Sequence, residues 1–158
     1  MSPGLRLEGN AAGQLVVDDD ADATAVLRAA GCRVTRPRVA VLQALLDHDG
    51  PLDAAQMTTL AQDVEPGIHE ATVYRTIGVL ADAGIVSHVH AGHGPSLVRL
   101  SAHEAVVAVC RECGAIESLP VVAVDHLVAT IEAGSGFSLE LGHFALEGVC
   151  GQCLTDAG

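Results

Sequence analysis

Two C-x-x-C pairs constrain this chain more than any other feature. Cys110-Arg111-Glu112-Cys113-Gly114 and Cys150-Gly151-Gln152-Cys153 stand with 36 residues between them. Each pair lies where a strand-like run gives way to a turn, so both thiolates of a pair can meet one ion. Two such pairs supply the four sulfurs of a closed, tetrahedral Zn²⁺ site. Large side chains are scarce (two Phe, one Tyr and no Trp in 158 residues), so the metal acts as a folding element here. Four protein ligands leave no place for water, and such a zinc is structural rather than catalytic. The alternative is a redox dithiol, but C-x-x-C of that kind occurs once, opening a helix after a strand. Cys32 has no partner and reads as a small packed hydrophobe.

The charge balance argues at first against nucleic acid. The formal net charge is −12, and all eight cations are arginines. The distribution is uneven. Residues 1–22 hold one arginine against five acids, residues 23–100 six against seven, and residues 101–158 one against eight. Arg28, Arg33, Arg36 and Arg38 fall within one acid-free stretch. The composition therefore excludes a generally sticky polycation but leaves room for a local DNA-facing patch. No apolar run resembles a signal peptide or a membrane span, which points to a cytoplasmic protein with no membrane partner.

The periodicities divide the chain into three parts. Residues 1–21 read as a mobile acidic tail. Residues 22–100 read as four helices and a β-hairpin: Asp22–Ala30, a helix capped by Thr35 with a stripe of Val39, Leu42 and Leu46, one capped by Asp53, and Glu70–Ala83. The last buries Val73, Ile77 and Leu80, leaving Ala71, Arg75, Gly78 and Asp82 outside with Tyr74 on the flank. The runs Ile85–His90 and Ser96–Leu100 follow, and this order is that of a winged helix. Residues 101–158 read as β-β-α-β: strands Glu104–Cys110 and Ala115–Leu119, a helix opened by Pro120, and a long strand Phe137–Glu147. The expected class is α+β, a winged-helix domain followed by a small domain with a Cys₄ zinc site.

In this setting the chain resembles the ferric uptake regulator family, dimeric metal-responsive repressors. The resemblance rests on Arg33-Val34-Thr35-Arg36-Pro37-Arg38, Ala71-Thr72-Val73-Tyr74-Arg75-Thr76, Ala83-Gly84-Ile85-Val86 and both knuckles. It implies a homodimer on a double-stranded, palindromic DNA operator, with residues 101–158 as the dimerisation domain. Within the family, residues 87–94 and Gly142-His143-Phe144-Ala145 are similar to the nickel-uptake regulators of actinobacteria. That similarity implies a regulatory Ni²⁺, or another divalent transition metal, on His88, His90 and His143. One stretch departs from the family. The histidine-rich run expected before the first knuckle reads His103-Glu104-Ala105-Val106-Val107-Ala108-Val109. One regulatory site is thus depleted, with His103, Glu104 and Glu117 as candidates for a reduced remnant and His93 as a candidate extension of the histidine site.

The residues themselves leave some of this open. His88 and His90 are two apart on a strand and share a face, but neutral imidazole suits Ni²⁺ and Zn²⁺ alike. His143 reads equally well as a ligand and as a hydrogen-bonded, half-buried histidine. Arg33, Arg36 and Arg38 are candidates for holding the DNA backbone, and Thr72, Tyr74 and Arg75 for approaching bases or phosphates. An ordinary solvated face is the alternative for the arginines. Zinc- or iron-responsive regulation, or a zinc-stabilised interaction module that binds no DNA, are the competing functions. No nucleophile–base pair, phosphate loop or open zinc site appears, so neither an enzyme nor a small organic substrate is expected.

Overall fold

Asp22 and Asp53 show how the sequence starts its helices. Asp22 accepts from the amides of Thr24 and Ala25. Asp53 accepts from Gln56 N–H at 2.7 Å, while the Gln56 side chain accepts from the Asp53 amide at 3.0 Å. This reciprocal capping box satisfies two helix-end donors at once. The computed structural model describes residues 22–90, 96–101, 105–139 and 144–156. The acidic segment 1–21 and the candidate ligands His93, His103, Glu104 and His143 lie outside the described residues.

The first helices are α1 (Ala23–Ala29), α2 (Arg36–Leu46), α3 (Ala54–Val64) and α4 (Glu70–Asp82). Strands β1 (Val86–Val89) and β2 (Leu97–Leu100) pair with each other. Leu52 adds a short antiparallel bridge to Val98. Helix α2 is central, packing on α1, α3, α4 and β2. Its buried side is therefore wider than the expected stripe: Val41, Leu42 and Leu45 are enclosed, whereas Val39 and Leu46 are half-buried at the margins. Cys32 also packs at the edge of this core, as a small hydrophobe would. Helix α4 buries Val73, Ile77 and Leu80 as expected. Gly84 follows it with φ +70°, a left-handed turn into the wing that a side chain would strain.

Beyond the wing come β3 (Ala105–Cys110), β4 (Ile116–Pro120), α5 (Asp125–Ser135), β5 (Ala145–Gly148) and α6 (Gly151–Asp156). The sheet order is β4-β3-β5, with β3 antiparallel to β4 and parallel to β5. Contacts divide the molecule into two compact units, residues 1–88 with 96–103, and residues 89–95 with 104–158.

Two expectations for the second unit are corrected. Pro120 does not open the helix. It ends the edge strand β4 with ψ 142°, and one 3₁₀ turn (Val121–Ala123) precedes α5. A proline is tolerated at an edge because no neighbour needs its missing N–H. The long strand from Phe137 is also absent at its start. Phe137 N–H donates to Ser135 Oγ, and Leu139 N–H to Glu132 Oε1. These amides are spent on side chains of α5, and the described strand begins at Ala145. Helix α6, over the second knuckle, has no counterpart in the sequence reading.

Candidate metal centre and nucleic-acid interface

Cys110 ends β3 and begins a tight reversal. Gly114 N–H donates to Cys110 O at 2.8 Å, and Cys110 N–H to Ala115 O at 2.8 Å. Gly114 has φ +74°, so only glycine turns there without strain. The parallel register of β3 and β5 ends at Cys110 opposite Gly148, two residues before Cys150. Arg111 N–H, donating to Gly148 O at 2.9 Å, closes the second knuckle onto the first. Cys150 then accepts on its carbonyl from Leu154 N–H, which sets Cys150 and Cys153 one turn apart at the start of α6.

The four sulfurs lie within 4.8 Å of one another, and Cys113 Sγ is 3.7 Å from Cys150 Sγ. A tetrahedron of Zn–S bonds has edges of about 3.8 Å, so the donor set fits a zinc ion. Among the described residues this is the one group of three or more ligand-type side chains gathered closely enough for an ion. The electrostatics of the cluster are asymmetric. Backbone N–H groups of Cys150, Cys113 and Glu112 point at the Cys110 thiol and lower its pKa to about 6, against the opposing effect of burial. Cys153 is pushed up to about 12, first by its contacts with the Cys113 and Cys150 thiols and then by burial and the Cys110 charge. One sulfur is thus poised as thiolate while another holds its proton until a cation replaces it.

Glu117 stands on β4 opposite Ala108, exposed, and lines a shallow hollow beside Cys110 and Cys150. Among the described residues it is not gathered with other ligands. His88 is half-buried with Nδ1 3.3 Å from Ser96 Oγ, which leaves Nε2 free of that contact. Holding one ring nitrogen fixes the direction of the other, a role the sequence reading did not assign to Ser96. His90 is exposed, and the alternation sets it with His88 opposite the buried Val89. Its carbonyl accepts from Ala145 N–H at 3.0 Å and it bridges in parallel to Phe144, the residue after His143 in the chain.

On the first unit, Tyr74 is 58 % exposed and Arg75 is exposed beside it on α4. Arg75 Nη2 donates to Thr72 Oγ1 at 3.3 Å, so the exposed guanidinium is paired with a half-buried hydroxyl one turn back. Arg33 and Arg36 are exposed at the loop before α2 and at its first turn. Arg38 differs, being half-buried with Nη1 donating to the Arg33 carbonyl at 2.8 Å. No sequence signal distinguishes it from its neighbours.

Known proteins resemble the chain along most of its length. A profile of the ferric uptake regulator family matches residues 29–146. The ferric uptake regulation protein of Bacillus subtilis is 28% identical over 132 residues, 80% of this chain and 89% of that protein. Among solved structures, the ferric uptake regulator of Vibrio cholerae is 30% identical with a TM-score of 0.67, covering 82% of this chain and 100% of that one. A zinc uptake regulator solved with zinc and DNA is 25% identical with a TM-score of 0.54, covering 84% of this chain and 91% of that one. The chain belongs to the ferric uptake regulator family, whose members are transcription regulators and not enzymes.

Proposed function

We propose that this protein is a DNA-binding repressor of metal homeostasis that works as a homodimer and responds to a divalent transition metal. The observation that carries the reading is the outer face of α4, where Tyr74 and Arg75 are exposed and Arg75 bonds the half-buried Thr72. A helix following another helix and leading into a wing is the element that enters a major groove. Residues 22–100 bind DNA, with Arg33 and Arg36 on phosphates, and residues 101–158 form the dimer. Leu127 and Val122, 51 % and 75 % exposed, supply apolar surface for that second role. Two-fold symmetry then calls for a palindromic operator with half-sites about 34 Å apart.

Zinc on Cys110, Cys113, Cys150 and Cys153 supplies the fold of the second unit. The regulatory metal sits on His88, His90 and His143. The Ser96 contact to His88 and the bridge from His90 to Phe144 support that set. Nickel is favoured by the similarity of residues 87–94 and 142–145 to nickel-uptake regulators. Zinc sensing is the second reading, supported by the relative that was solved with zinc and DNA. A metal binding one arrangement of the two units better than others shifts the population towards it.

The test is a gel shift on the promoter upstream of the protein's own gene, with Ni²⁺, Zn²⁺, Fe²⁺ and Mn²⁺ added in turn. Affinity that rises with one metal, and no longer does so in His88→Ala, supports the scheme. Equal affinity with all four removes metal regulation but keeps DNA binding. No shift under any condition leaves a zinc-stabilised interaction module.

A further inference from the structure

We infer that Arg38 is a positioning residue, which holds the loop carrying Arg33 and Arg36 in the shape that meets phosphates and does not itself bind one. The inference rests on the DNA-binding reading above. In sequence the three arginines are equivalent. In the structure Arg33 and Arg36 are exposed, whereas Arg38 is half-buried and donates from Nη1 to the Arg33 carbonyl at 2.8 Å.

That bond spans five residues and ties the first turn of α2 back to the loop before it. The loop needs such a tie. Thr35 occupies the N-cap position but makes no side-chain capping bond, and Pro37 has no N–H to contribute. At its start the loop is pinned by Cys32 N–H donating to Leu27 O at 2.8 Å, with Cys32 packed at the core edge. At its end Val39 N–H donates to Thr35 O at 3.0 Å. Between those pins the guanidinium of Arg38 fixes the carbonyl of Arg33, and with it the backbone that sets where Arg33 and Arg36 point. A guanidinium suits this task, since it keeps its charge and its fork of donors at every physiological pH.

The experiment separates positioning from contact through salt. Each phosphate contact contributes about 0.9 to the slope of log affinity against log salt. The zinc-loaded protein is titrated with random-sequence duplex DNA over a range of salt, as wild type, Arg33→Ala, Arg36→Ala, Arg38→Met and the triple variant. Arg33→Ala and Arg36→Ala should each lower the slope by about 0.9. Arg38→Met should keep the wild-type slope and lose about tenfold in affinity, the scale of one charge-assisted hydrogen bond. In the Arg33→Ala/Arg36→Ala background it should cost nothing further, which a loss of global stability would not reproduce. A slope lowered by about a further 0.9 when Arg38→Met is added to the Arg33→Ala/Arg36→Ala background, or an unchanged affinity of the single variant, overturns the assignment. If Arg38→Met fails to fold, the uncharged donor in Arg38→Gln gives the same slope test. Hydrogen exchange at residues 31–35 without DNA supplies a second readout: faster exchange in Arg38→Met is expected, and unchanged exchange overturns the tie. If the wild type binds no duplex at all, the DNA reading fails while the exchange result still decides the tie.

Discussion

Stripping zinc from the protein should unfold the second unit and leave the first standing. The structure sets the magnitude. In the first unit a continuous cluster runs from Ala23 to Leu100, including Leu27, Leu42, Leu45, Met57, Ile68, Leu80 and Ile85 at 2 % exposure or less. Among the described residues of the second unit, the buried aliphatic side chains are Val89, Val106, Val107 and Val124. Helix α5 buries none of its residues in the single chain. At about 1.5 kcal/mol for each buried valine, that core supplies roughly 6 kcal/mol of burial energy. A structural zinc contributes on the order of 10 kcal/mol or more to small domains of this kind. The metal therefore stabilises this unit more than its apolar core does. Hydrogen exchange followed by mass spectrometry, before and after a strong chelator with metal content measured in parallel, is the direct assay. Protection in β3, β4, β5 and α5 should collapse, while α2 and α4 keep theirs. A zinc-free protein that retains protection in β3–β5 refutes the argument.

Other substitutions have defined outcomes. Cys113→Ser should lower bound zinc measured by elemental analysis, whereas Cys32→Ser should leave the zinc stoichiometry unchanged, since Cys32 packs against the first unit's core. Asp53→Ala breaks both bonds of the capping box and should cost about 1 kcal/mol in urea unfolding of the first unit. Arg75→Ala should weaken operator binding by about 1–3 kcal/mol if it reads a base, with little change in thermal midpoint because the side chain is exposed. Zinc affinity, measured against a competing chelator, should rise with pH across the neutral range. Cys153, pushed up to about 12, is protonated there before metal binds, whereas Cys110, lowered to about 6, contributes to the pH dependence chiefly below that value.

Much was legible in the sequence because it depends on neighbours in the chain. Asp22 and Asp53 announce helix starts through side chains that bond amides two or three residues on, and the α4 stripe of Val73, Ile77 and Leu80 follows from helical spacing alone. The cysteine spacing likewise indicated a four-sulfur site, since C-x-x-C is a local geometry. Residues 137–139 failed for a related reason. Alternating apolar residues satisfy the strand pattern, but Glu132 and Ser135 offer oxygen acceptors that take the Leu139 and Phe137 amides first.

What only the tertiary structure decided is which groups distant in sequence meet. The parallel register of β3 on β5, with Cys110 opposite Gly148, brings the knuckles together, and no local pattern encodes a strand pairing across almost forty residues. The central place of α2 widened its buried side beyond one stripe, because burial is set by how many neighbours surround a helix. The arginines make the same point. Composition and spacing placed them in one acid-free stretch, but only the folded loop separated the exposed Arg33 and Arg36 from Arg38, whose guanidinium is engaged with a carbonyl five residues back. Charge is a property of the sequence, and the partner each charge faces is a property of the fold.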